Sequence, residues 1–66
     1  MARLVTVRDK DTAKLILNFE TEDGTDPQRN KEEAQLLVKF YRPDLDQADL
    51  YYLVKSDQDI IDRGSL

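Results

Sequence analysis

The chain of 66 residues contains no histidine, no cysteine and no tryptophan. Without histidine it lacks the usual physiological-pH general base and the commonest nitrogen ligand for metals. Without cysteine it lacks a thiolate nucleophile, any disulfide and any zinc–thiolate site. Chemistry is left to carboxylates, a few hydroxyls, lysines and three tyrosines. Gly24 and Gly64 are the only glycines, so no glycine-rich phosphate loop exists. No segment approaches the roughly 20 apolar residues needed to span a bilayer. The opening MARLVTVRDK has no apolar signal region followed by a small-residue cleavage site. The expectation is a cytoplasmic protein with no membrane contact, no cofactor and no metal site.

What is present suits one small domain over residues 1–66, with the last few residues expected to be disordered beyond Gly64. A chain this short buries only about 60% of its unfolded surface, and its core rarely supplies more than about 3–5 kcal/mol. With disulfide and zinc staples excluded, self-association is the remaining remedy. Apolar residues cluster at 15–19, 36–41 and 50–54, which permits folding despite a mean hydropathy of -0.68. Residues 1–42 balance eight acids against eight bases. Residues 43–66 carry Asp44, Asp46, Asp49, Asp57, Asp59 and Asp62 against Lys55 and Arg63, so the net charge of -4 falls entirely there. No basic face is visible, and direct nucleic-acid binding is therefore not expected. The acidic third fits a partner with a basic surface, and equally a plain solvated face.

The element pattern is that of an α+β fold. Residues 3–8 (RLVTVR) read as a strand with Val5 and Val7 on one face. Residues 14–21 alternate, with Leu15, Leu17 and Phe19 on one side and Lys14, Ile16, Asn18 and Glu20 on the other, as in a half-buried antiparallel strand. Asp23-Gly24 and Asp26-Pro27 are turn or chain-breaking pairs. The segment from Asp26 to Tyr41 admits two readings. Asp26 can cap a helix with Pro27 at its first position, giving the stripe Ala34, Leu37, Val38, Tyr41. Alternatively 34–41 is a strand with Leu36, Val38 and Phe40 on one face, supplying a partner for 14–21. The strand reading is preferred, because the first strands need partners for their backbone groups. Pro43 ends the segment in both readings. Asp44 or Asp46 then caps a helix over 46–55 with Leu50, Leu53 and Val54 as its apolar stripe. The tail either continues that stripe through Ile61 or breaks at Ser56 or Asp57 to form a last short strand at Ile60-Ile61. The expected architecture is thus a small antiparallel β-sheet of strands 3–8, 14–21 and 34–41, with one helix, 46–55, packed on one face.

Residues 43–51, PDLDQADLY, resemble the Pro-Asp, acidic or hydroxyl residue, then Asp-Leu-Tyr helix start of the DUF1659 family of small, uncharacterised bacterial proteins. Residues 14–20 resemble that family's first main strand, 22–26 its polar turn and 36–42 its second strand. The resemblance spans about residues 12–55. It implies an α+β fold and a strand at 34–41, with no assigned activity and no functional residue to carry over.

Two Asp-x-Asp-x-x-Asp segments, Asp44/Asp46/Asp49 and Asp57/Asp59/Asp62, have the carboxylate density that hard cations need. Neither fits a calcium loop. Counting from Asp44, position 5 is Ala48 and position 12 is Lys55; counting from Asp57, position 5 is Ile61 and the chain runs out. Helix capping and a solvated surface account for both. Paired carboxylates for acid–base catalysis require a pocket that raises one pKa, and a pocket of roughly 300 Å3 is large for this chain. An enzyme is not expected. Ile16 and Leu37 fall on the sheet face left open by a single covering helix, and exposed apolar surface of that kind marks an interface. One of the adjacent Tyr51 and Tyr52 faces outwards beside Leu53, in the manner of an interface anchor. The leading expectation is therefore a small non-enzymatic interaction module that forms a homodimer through Ile16, Leu37, Tyr52 and Leu53. The alternative is an acidic regulator or decoy, such as phages encode, that grips a basic protein surface through Asp57, Asp59 and Asp62.

Overall fold

The computed structural model describes residues 3–66. Four strands and one helix occur in the order β1 (Arg3–Asp9), β2 (Leu15–Thr21), α1 (Pro27–Tyr41), β3 (Leu50–Ser56) and β4 (Asp59–Ser65), with a 3-10 turn at Gln47–Asp49 before β3. All neighbouring strands are antiparallel, and the sheet order is β2-β1-β3-β4. Helix α1 packs against one face, giving an α+β fold. The core lies between that helix and the two central strands. It consists of Val5 and Val7 from β1, Leu50, Tyr52 and Val54 from β3, and Ala34 and Val38 from α1.

The α+β class and the antiparallel sheet with one covering helix agree with the sequence reading, but the positions of the helix and of one strand are exchanged. Residues 34–41 are helical, not a strand. Asp26 accepts hydrogen bonds from the amides of Gln28 and Arg29, and Pro27 occupies the first turn. The next residues, QRNKEEAQLL, contain no β-branched side chain and, Asn30 apart, have good helix propensity, and Val38 is the first β-branched side chain in the helix. Asn30, Ala34 and Val38, spaced by four, form the buried stripe. Conversely, 46–55 is not a helix. Asp46 caps only the short Gln47–Asp49 turn, through the amide of Ala48. Beyond it, Leu50, Tyr52 and Val54 alternate inwards and Tyr51, Leu53 and Lys55 outwards. Aromatic and β-branched residues suit a pleated strand paired on both sides better than a helix. β3 is the partner that the first strands required.

Two further expectations are corrected. A bulge between β1 and β2 sets Leu17 opposite Val7 but Leu15 opposite Arg8. Leu17 and Phe19 therefore face the core, Leu15 lies on the far side at 45% exposure, and Ile16 packs against the core. The chain also stays ordered past Gly64: β4 runs to Ser65, the Leu66 amide donates to Leu50 O at 3.0 Å, and the Leu66 side chain packs on the core.

The turns are held by specific groups. Asp9 Oδ1 accepts from the amides of Asp11 and Thr12, bonds that hold its carboxyl below the usual range, Thr12 contributing most. Asp57 takes the left-handed conformation that the two-residue β3–β4 turn needs. Gly24 has φ 75°, and a Cβ there would sit 2.9 Å from Arg3 Cγ and 3.1 Å from Val54 Cγ1. No other residue type fits that corner unstrained.

Candidate interaction surfaces

The four proposed interface residues do not form one patch. Tyr52 points into the core at 3% exposure and is no surface anchor. Strand alternation decides this: Tyr52 stands opposite Val7 and shares its face, whereas Tyr51 stands opposite Arg8 and faces away from the helix. Leu53, half-buried, is on that open face beside Thr6 and Arg63. Ile16 and Leu37 line one groove, of about 430 Å3 between β2 and the C-terminal half of α1, together with Leu17, Phe19, Tyr41 and Arg42. Next to it the outer side of the helix carries Leu36, Phe40 and Tyr41 at 66%, 75% and 65% exposure, with the two rings in edge-to-face contact.

The acidic residues are likewise divided. Asp57 lies in the β3–β4 turn and Asp59 directly after it, while Asp62 lies opposite Val54 and turns towards the helix. There its Oδ2 accepts from the Tyr52 hydroxyl at 2.8 Å and from Asn30 Nδ2 at 2.9 Å. Asn30 Nδ2 also donates to Gly24 O at 2.9 Å, and Pro27 O lies 3.3 Å from the Tyr52 oxygen. This cluster ties β4, β3 and the start of α1 together. Burial first, then the Asp62 hydrogen bond and charge, push the Tyr52 phenol up to about 12. Asp44 forms an exposed ion pair with Arg42 at 3.2 Å, whose hydrogen bond holds its carboxyl below the usual range. Among the described residues, the acids of the two Asp-x-Asp-x-x-Asp segments do not gather into a group that would hold a metal ion.

A second acidic region lies where the sequence sums to neutrality. Glu20, Glu22, Asp23, Asp26 and Glu33, together with Arg29 paired to Glu33, line a cleft of about 290 Å3 at the β2–α1 corner. The far side of the sheet is different again. It presents Leu4, Thr6 and Arg8 from β1, Leu15, Asn18 and Glu20 from β2, Tyr51, Leu53 and Lys55 from β3, and Ile60, Arg63 and Ser65 from β4. No helix covers this face. Charge summed along the chain could not show it, because its residues come from four separate segments. Among the described residues, no helix is long and apolar enough to cross a membrane.

A scan of protein-family models, a search of curated proteins and a search of solved structures found no match to this chain.

Proposed function

We propose that the protein is a small non-enzymatic interaction module that pairs with a second copy of itself through the β2–α1 groove. The observation that carries this reading is the juxtaposition of an apolar groove (Ile16, Leu17, Phe19, Leu37) with an exposed apolar ridge (Leu36, Phe40) on the same half of one helix. A two-fold axis brings the ridge of each copy into the groove of the other, the self-complementary arrangement of a symmetric dimer. Phe40 and Tyr41 leave on the order of 300 Å2 exposed, a substantial share of the roughly 800 Å2 that each partner of a stable interface buries. β2 adds an uncovered sheet edge whose only charged residue is Glu20. The other edge, β4, carries Asp59, Asp62 and Arg63, the kind of charge that keeps edges from pairing.

Sedimentation equilibrium across a concentration series, at low and high salt, tests the proposal. The expected result is a dimer that survives high salt, because the contact is apolar, and a monomeric but folded Leu37→Asp variant. A parent that stays monomeric at every concentration, or a Leu37→Asp variant as dimeric as the parent, overturns it.

A further inference from the structure

We infer that the open face of the sheet is a docking surface for an acidic, extended segment of a partner protein, one whose surface-facing positions, at every second residue, carry both carboxylates and apolar side chains. The strand register places Arg8, Lys55 and Arg63 on this face against a single acid, Glu20. Lys10 joins them at one end, where it lines a cleft of about 470 Å3 with Tyr51, Arg63 and Ser65. The surface thus carries +3 in a chain of net charge -4, leaving -7 on the rest of the molecule. The fold has separated charges that the sequence interleaves.

These cations are not spent on internal ion pairs. The ion pairs among the described residues are Arg29–Glu33 and Arg42–Asp44, both away from this face. Arg8 donates to Ala13 O at 2.7 Å and Lys10 to Ala48 O at 2.8 Å, neutral acceptors that leave both charges uncompensated. Neighbouring strands lie about 4.8 Å apart and alternate residues on a strand about 6.8 Å apart. On that grid Lys55 and Arg63, on adjacent strands and adjacent rows, are separated by roughly 8 Å at the backbone. Carboxylates at every second residue of an extended peptide repeat at a similar spacing.

The apolar part of the face selects among anions. Leu4, Leu15 and Ile60 are 42%, 45% and 50% exposed, and Leu53 and Tyr51 lie half-buried between the cations. Aliphatic side chains of a peptide can pack there. Nucleic acid offers them little, and its recognition on an open sheet relies on several aromatic platforms, of which this face has one. Size argues the same way. The molecule is 32 Å in its longest extent, so a long polyanion or an anionic membrane also reaches the acids beyond this face. A short acidic segment can lie along the row of cations without reaching those acids.

The test is fluorescence anisotropy with a labelled short peptide that carries glutamate at two successive alternate positions and leucine at the next, with serine between, so that both types share one face when it is extended. Its lysine-for-glutamate counterpart, an oligouridylate and phosphatidylserine vesicles serve as competing probes. The glutamate peptide alone is expected to bind, to weaken at least about tenfold from low to high salt, and to lose at least about tenfold in the Lys55→Glu/Arg63→Glu double variant with an unchanged melting curve. Leu37→Asp, monomeric under the dimer reading, is expected to bind the peptide as the parent does, so the two surfaces fail or stand separately. Absence of binding, equal binding by the lysine peptide or by the double variant, or tighter binding to oligouridylate or vesicles overturns the inference.

Discussion

The two faces of β3 share a backbone and almost nothing else. Inwards go Leu50, Tyr52 and Val54, all at 3% exposure or less. Outwards go Tyr51, Leu53 and Lys55, in a mixed row of cation, aromatic and aliphatic side chains. The inner face is closed by α1 and finished with a polar cluster whose hydrogen bonds are made within the protein. Among the described residues the outer-face cations make no ion pair, and the leucines there stay partly wet. The inner side of the strand carries the core and the outer side the charges that the proposed docking surface would use, and adjacent tyrosines fall on opposite sides of the division.

Truncating those tyrosines is the most forceful way to break the comparison. Tyr52→Ala empties core volume at a cost of about 3–5 kcal/mol, comparable to the whole stability of a chain this small. It is expected to be unfolded at room temperature by circular dichroism. Tyr51→Ala removes a half-exposed ring and is expected to cost less than about 1 kcal/mol in urea unfolding. Similar losses at both positions would mean that the outer face is part of the core's support.

The polar cluster is the next test. Asn30→Ala takes one of the two side-chain donors from Asp62 Oδ2 and leaves Gly24 O without the amide, an expected loss of about 1–3 kcal/mol in urea midpoint experiments. The cluster also has a pH signature. The Tyr52 phenol is raised from 10.0 to about 12 in the folded chain, so folding favours the protonated form. Its contribution is fully present below pH 10.0 and is lost as the pH rises through about 12. Thermal melts across that window are expected to fall steeply for the parent and less steeply for Tyr52→Phe. Parallel curves would remove the cluster from the account of stability.

How much of this was legible in the sequence depended on which interactions were local. The α+β class, the first two strands, the Asp26 cap and the stripe through Ala34 and Val38 all follow from residues a few positions apart. The exchange of strand and helix between 34–41 and 46–55 turned on tertiary pairing. Both segments carry short apolar runs that fit either period, and only the position of β3 between β1 and β4 decides. The bulge at Ile16 inverted one residue of an otherwise clear alternation, and no turn residue announces it. Of the site, Ile16 and Leu37 were expected together on an open sheet face; they line a groove beside the helix instead. Tyr52 was misplaced because helical spacing permitted either tyrosine to face out, whereas a strand fixes Tyr52 with Val7. The cationic face stayed hidden because register, not sequence distance, assembles it.

The smallest expected effect sharpens the comparison furthest. Lys55→Ala and Arg63→Ala remove charges that make no ion pair among the described residues, so each is expected to lie within about 0.5 kcal/mol of the parent. Removing one cation also relieves repulsion with its neighbours on the face, so a slight gain is as consistent as a slight loss. Urea midpoints of the two variants and their double mutant check this. If the double mutant is destabilised beyond the sum of the singles, the cations are coupled to something inside the protein, and the outer face has a structural role after all. If the midpoints stay put while peptide binding falls, the charges serve a partner and not the fold, because a group whose removal leaves stability unchanged but lowers affinity acts only in the complex.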